Sequence, residues 1–290
     1  MRIAAIVGTR PQLIKLAALR PHLTAPIEPF VVDTAQHHDE LLAGQIYRDL
    51  GMAPPDLLLP GPGDLRDAAR LDAMVRALDA ALVQINPDVV LVFGDTDSTL
   101  AGALAAHAHG IAIVHVEAGV RSGDALMPEE RNRIAVDKIA SLRLCTSDRA
   151  AQALRVEGLA DGNLVVGDLM ADLVARLAST ARGTAALDAA ALHIGRPLIS
   201  GGFAYATLHR ADVREAKRLR AALDVLRVSA EHLGVPVLFA AHPGTSAAIA
   251  AHNNDVPDGV ELVPPVGYLD SLALTAHAAA VLTDSGGLQR

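Results

Sequence analysis

Charged and polar residues gather where short apolar runs end, and their types suit two kinds of work. Asp95 follows the apolar run 89–93 and Gly94. Glu117 comes directly after the run 111–116, and Glu129 opens a helical stretch after Pro128. Carboxylates so placed can take up and return protons. A second group is built for anions. Arg10 and Lys15 follow the first apolar run, Arg121 follows Glu117, and His209 and His242 each end a run in the second half. Near the last residue stands Ser285-Gly286-Gly287, a glycine turn after an apolar run, whose N–H groups at a helix start would suit an anion.

Plainer readings stand beside these. Asp95 fits the cap of the next helix, and Glu129 and Glu130 fit acids that complement a helix dipole. Arg10 and Lys15 fit ordinary solvated charges, and His209 and His242 fit hydrogen-bonded strand ends. His37, His38, His107 and His109 read as surface residues. His115-x-Glu117 looks like half of a deaminase zinc element, but the paired cysteines it needs are missing: Cys145 stands alone. Glu117 resists the plain reading, because burying a carboxylate beside an apolar strand is costly without a purpose.

The elements that must carry these residues alternate. Runs 3–7, 30–33, 89–93, 111–116, 142–146 and 164–166 read as strands, with helices at 11–23, 38–50, 65–84, 98–109 and 129–140 between them. Pro11 suits a first helical position. Repeated strand–helix units predict a parallel sheet covered on both faces. Residues 176–196, rich in Ala, Thr, Gly and Arg, read as a connection. A further series then follows, with strands at 204–208, 235–240, 260–263 and 279–283. The fold class is therefore α/β with parallel sheets in two domains, 1–175 and 176–290. The C-terminal domain reads as incomplete, since its last strand and glycine turn should feed a further helix. Ligands of such sheets bind beyond the carboxyl ends of the strands, where the charged residues above fall. A cleft between two facing sheets would bring the acids of the first half to the His, Arg and Gly of the second.

Composition narrows the functions. The 290 residues are 51% hydrophobic, but only 2% aromatic and without Trp, so the core must be mostly Ala, Val, Leu and Ile. A net charge of −8 argues against a nucleic-acid surface, yet leaves room for a phosphorylated ligand in a locally basic site. One cysteine excludes an internal disulfide and favours a reducing, cytoplasmic setting. No signal peptide is legible, and no apolar run approaches the roughly 20 residues that span a bilayer. The P-loop, the dinucleotide fingerprint and the hydrolase elbow are all absent. No motif indicates a metal or a nicotinamide, and no cofactor is expected.

Taken in order, the motifs resemble the non-hydrolysing UDP-N-acetylglucosamine 2-epimerases. The matching stretches are Gly8-Thr9-Arg10-Pro11 with Lys15, Gln36-His37, Gly94-Asp95-Thr96, His115 to Gly119 with Arg121, and Pro128-Glu129-Glu130 with Asn132-Arg133. His209-Arg210, His242-Pro243, Gly267-Tyr268-Leu269 and residues 283–289 continue the series. The resemblance implies two Rossmann-like domains facing a cleft, the GT-B-like architecture, and interconversion of UDP-GlcNAc and UDP-ManNAc through loss and re-addition of UDP. It implies acid/base roles for Asp95, Glu117 and Glu129, and a site histidine at His209. Arg10, Lys15, Arg121, His242, Ser285, Gly286 and Gly287 would contact the nucleotide sugar. Gln36 and His37 would stand where some members bind an activating second substrate. A homodimer without nucleic-acid or membrane partners is implied as well. Ala211-Asp212 departs from the acid or second Arg that many members carry after the His-Arg pair. The rival readings are a hydrolysing epimerase, an epimerase of a related UDP-diacetamido sugar, a GT-B glycosyltransferase and an inactive nucleotide-sugar-binding paralogue.

Overall fold

A computed structural model describes residues 1–36, 40–181, 184–208, 215–252, 255–285 and 288–289. The chain divides into two units, Met1–Leu173 and Val174–Arg290.

The first unit is a parallel sheet of seven strands. They are β1 (Arg2–Val7), β2 (Glu28–Asp33), β3 (Leu57–Leu58), β4 (Val89–Phe93), β5 (Ala112–Ala118), β6 (Leu142–Cys145) and β7 (Asn163–Val165). Their order is β3-β2-β1-β4-β5-β6-β7, so the chain reverses direction across the sheet between β1 and β4. Crossovers are helical: α1 (Arg10–Leu19), α2 (Glu40–Asp49), α3 (Asp67–Ile85), α4 (Asp97–Ala108), α5 (Pro128–Ile139) and α6 (Asp148–Val156). Ala4 and Ile6 of β1 join Val90 and Val92 of β4 in a core covered by Met74, Leu78 and Leu82 of α3 and the alanines of α4. Burying a leucine such as Leu78 contributes about 2 kcal/mol. Gly102 lets α4 approach closely, since a Cβ there would stand 3.1 Å from both Ile6 and Val92.

α7 (Leu169–Ala181) spans the division. The second unit holds α8 (Ala185–Ile194), β8 (Ala204–Thr207), α9 (Ala216–Leu233), β9 (Val237–Ala240), α10 (Pro243–Ala251), β10 (Val260–Val263), α11 (Tyr268–His277) and β11 (Ala280–Thr283). Its four parallel strands run β10-β9-β8-β11, the same opening order as the first sheet. Alternation along β8 sends Ala204 and Ala206 to α9 and α10, while Phe203 and Tyr205 face α8 and α11. The few aromatics are spent at depth: Phe93, Phe203, Tyr205 and Phe239 rank among the largest fully buried side chains.

The parallel α/β expectation is met in both units. Two local expectations are corrected, and one strand was not anticipated. Residues 185–194, read as connection, are helix α8, whose Leu187 is buried in the core of the second unit. Alanine is the best helix former, and Gly195 in the left-handed region ends the helix. Glu117 does not follow its strand but lies inside β5. The two-residue β3, between proline-rich stretches, carries too short an apolar run to be read from sequence.

Candidate active site

The first unit concentrates its charged residues at the carboxyl ends of β1, β4 and β5. Glu117 is the key backbone anomaly there. On β5, Val116 pairs with Leu144 and Ala118 with Cys145, so Glu117 is an extra residue in a bulge. Its φ is +68°, in the left-handed region that a residue with a Cβ adopts at a cost. The bulge turns its carboxylate onto Lys15 of α1, and the two form an ion pair with both residues 6% exposed. Gly94 lies directly against this pair. A Cβ at Gly94 would stand 3.2 Å from Lys15 Nζ, and its φ is +66°.

Asp95, next in the chain, does not cap the following helix. Thr96 takes the N-cap position of α4, and its N–H donates to Thr99 Oγ1 at 3.1 Å. The Asp95 carboxylate instead pairs with Arg133 of α5. Arg133 also donates to Glu130 at 2.5 Å, so a single guanidinium holds both acids. Asn132 Nδ2 donates to the Asp95 carbonyl and to Asp97 Oδ1, each at 3.1 Å. Burial works to raise the Glu130 carboxyl. The N–H groups of Ser122 and Gly123 and the Arg133 charge outweigh it and hold the group below the ordinary carboxylate range. Glu130 is thus a clamp on the loop between β5 and α5. Glu129, its neighbour in the first turn of α5, is exposed.

Arg121 is engaged away from this cluster. It pairs with Asp137 at 2.8 Å and with Glu157 at 2.7 Å. Asp137 is fully buried. Burial opposes its charge, but His115 and Arg121 hold it below the usual range. Arg10 is half-buried at the first position of α1. Gln36 accepts from Ser98 N at 2.9 Å and Ser98 Oγ at 2.6 Å, which ties the end of β2 to the first turn of α4. Gly8 makes this junction fit, because a Cβ there would overlap both Thr34 Oγ1 and Ser98 Oγ.

In the second unit, His242 caps α10, its Nδ1 accepting from Gly244 N at 3.2 Å. Ser285 N donates to Thr283 Oγ1 at 3.0 Å, and Thr283 Oγ1 meets Thr207 Oγ1 at 3.0 Å, so β8 and β11 end in a hydroxyl-lined turn. His37, His209, Gly286 and Gly287 lie outside the described residues. Among the described residues no cluster of His, Cys, Asp or Glu is placed to hold a metal ion.

The structure therefore groups Lys15, Glu117, Gly94 and Asp95, holds Arg121 and Gln36 in contacts of their own, and leaves Glu129 exposed at the start of α5. Sequence reasoning singled out neither Arg133 nor Asp137 as a site residue. The one local signal was the Glu130–Arg133 spacing, a neighbouring pair on a helix face.

Parallel sheets with charged groups collected at the carboxyl ends of their strands define a doubly wound α/β protein of the ligand-binding kind. The sequence profile of UDP-N-acetylglucosamine 2-epimerase matches residues 22–290. A UDP-N-acetylglucosamine 2-epimerase homolog of Methanococcus maripaludis is 34% identical over 297 residues, covering 100% of this chain and 80% of the relative. The UDP-2,3-diacetamido-2,3-dideoxy-D-glucuronate 2-epimerase of Pseudomonas aeruginosa is 33% identical, again over 100% of this chain and 80% of its own length. The crystal structure of Methanocaldococcus jannaschii UDP-GlcNAc 2-epimerase in complex with UDP-GlcNAc and UDP matches with a TM-score of 0.88. Its identity is 31%, and the match covers 100% of this chain and 80% of that one. The chain belongs to the UDP-N-acetylglucosamine 2-epimerase family, and its fold class is the GT-B-like one of those structures.

Proposed function

We propose that this protein interconverts UDP-GlcNAc and UDP-ManNAc by epimerisation at C2. The observation that carries this is the similarity to named 2-epimerases, over 99–100% of this chain and 79–80% of theirs, one of them solved with UDP-GlcNAc and UDP. The C2 proton is not beside a carbonyl, so abstraction must be coupled to loss of a stable anion. A base takes the proton from C2 as the C1–O bond to UDP breaks and a C1–C2 double bond forms. Return of a proton to the opposite face, with re-addition of UDP at C1, completes the inversion.

The roles are assigned from the sequence resemblance, with local contacts in support. Glu117 and Asp95, paired with Lys15 and Arg133, stand for the proton-transfer pair, one taking the C2 proton and the other returning one. Glu129, exposed beside its immobilised neighbour, is the third acid/base carboxylate. On sequence grounds, Arg10, Lys15 and His242 are assigned to the nucleotide sugar, His209 to the vicinity of the diphosphate, and Ser285, Gly286 and Gly287 to its cradle. Arg121 is bound into the protein and supports the site through Asp137. Gln36, with His37, is assigned to binding of an activating second substrate; rates that follow a simple hyperbola in UDP-ManNAc, unaltered by trace UDP-GlcNAc, would remove that role. Action as a homodimer in the cytoplasm completes the proposal. No helix among the described residues is long and apolar enough to cross a membrane.

The Pseudomonas relative gives an alternative reading its footing: the same chemistry on a UDP-diacetamido uronic acid. Proton and phosphorus NMR of the protein with either sugar in D2O separates the two. UDP-ManNAc bearing deuterium at C2 is the expected product from UDP-GlcNAc. Turnover of the diacetamido sugar alone would transfer the assignment to it, and accumulating ManNAc with free UDP would indicate hydrolysis instead.

A further inference from the structure

His115 is completely buried in β5, and both of its ring nitrogens face acceptors. Nδ1 lies 2.7 Å from Asp137 Oδ1, and Nε2 lies 2.7 Å from the carbonyl oxygen of Gly94. A neutral imidazole has one N–H and one lone pair. With one proton, the ring would set its lone pair against an oxygen on one side, at hydrogen-bonding distance and away from water. Two protons satisfy both sides. The carboxyl of Asp137 is not free to carry the second one. Its other oxygen accepts from Arg121 at 2.8 Å and from the Gly119 N–H at 3.2 Å, which suits an ionised group.

Polar groups extend from the ring to the surface. Arg121, on the loop after β5, passes from Asp137 outward to Glu157 at the end of α6. The row His115, Asp137, Arg121, Glu157 runs from a fully buried end to a Glu157 side chain 30% exposed. From β6, Arg143 donates to the Asp137 carbonyl at 2.6 Å, and the buried Cys145 thiol is raised by its burial first and by Asp137 second. Lys15 and Glu117, two residues along β5 from His115, form their own neutral pair.

The geometry points to His115 as a positioning residue whose two ring N–H groups tie Asp137 to the Gly94–Asp95 turn and fix that turn for catalysis. The turn is held from both sides. The Gly94 N–H donates to the Val116 carbonyl at 2.9 Å, and the Gly94 carbonyl receives the His115 Nε2 proton. Asp95 and the backbone against Lys15 are thereby set by β5, the strand that carries Glu117. The positioning role rests on the epimerase reading; the charge state does not.

The test is long-range proton–nitrogen NMR on the intact protein with labelled histidine, the His115 signal being assigned by its loss in His115→Gln. Both ring nitrogens are expected to carry protons at neutral pH. A lone-pair nitrogen at His115 there would overturn the proposal, whatever the enzyme's substrate. In UDP-GlcNAc turnover, His115→Gln keeps a donor for Gly94 but removes the charge. Its kcat should fall by about tenfold or more at unchanged KM, as for a catalytic group displaced by a fraction of an ångström. A native kcat in a charged-ring protein would overturn the positioning role.

Discussion

Lys15 and Glu117 bury opposite charges against each other, their side chains only 8% and 7% exposed, on a bulge that holds the acid in left-handed backbone. Removing one partner leaves the other charge buried and unpaired. Lys15→Met is therefore expected to cost about 3–5 kcal/mol of stability, measured by urea unfolding at pH 7. The double variant Lys15→Met/Glu117→Gln should recover much of that loss.

Backbone and side chain at position 117 can be separated. Glu117→Ala and Glu117→Gly both lose the carboxylate, but only alanine still meets the cost of φ +68°. The glycine variant should be the more stable by about 1 kcal/mol, read from the same unfolding curves. Equal stability would mean that the bulge relaxes once the ion pair is gone.

Much of this arrangement was legible in the sequence. The runs 3–7 and 89–93, stopped by Gly8 and Gly94, marked β1 and β4, and Lys15 fell one turn into the helix that Pro11 opens. Local patterns could not show the bulge, because Glu117 is placed by a register shift against β6. Nor could they show the Arg133–Asp95 pair, which joins residues 38 apart. The Ala-rich α8 was missed because alanine carries little hydrophobic contrast from which a helical face can be read.

Glu129 and Glu130 are adjacent but should respond oppositely. Exposed Glu129→Gln should leave stability within about 0.5 kcal/mol and lower turnover of UDP-GlcNAc by about a hundredfold or more. Glu130→Gln removes the charge that Arg133 pairs with and turns one of two acceptor oxygens into a donor, and should cost about 1–3 kcal/mol in thermal or urea unfolding.

Two carboxylates give the stability curve opposite slopes with pH. Glu130 is held below its unfolded value, so its contribution is complete above about pH 4 and lost as pH falls through the lower folded value. Asp33 is raised, chiefly by burial, with the Ala35 N–H and the Tyr47 hydroxyl lowering it in part. Its folded form holds the proton more tightly, so stability falls as pH rises from about 4 to the higher folded value. Unfolding measured from pH 3 to pH 7 should show Glu130→Gln flattening the acid limb. Asp33→Asn should remove the opposing fall.

Gly119 backs onto the chain of α6. A Cβ there would overlap the Ala150 carbonyl oxygen and stand 2.8 Å from its carbon, with φ at +75°. Gly119→Ala is expected to destabilise by about 3 kcal/mol, seen as a lowered midpoint by circular dichroism.

The double fastening of Gly94 also bears on how the protein moves. A connecting turn ordinarily exchanges its amide hydrogens with solvent quickly. Here the amide is bonded to β5 and the carbonyl to a buried ring. In deuterium exchange Gly94 should behave as part of the sheet, with protection close to that of Val92 in place of the rapid labelling usual for a loop. The floor beneath Asp95 is then rigid on the timescale of turnover. Adjustment to an incoming ligand would fall to the exposed stretch 124–127, between the clamped Ser122–Gly123 and α5.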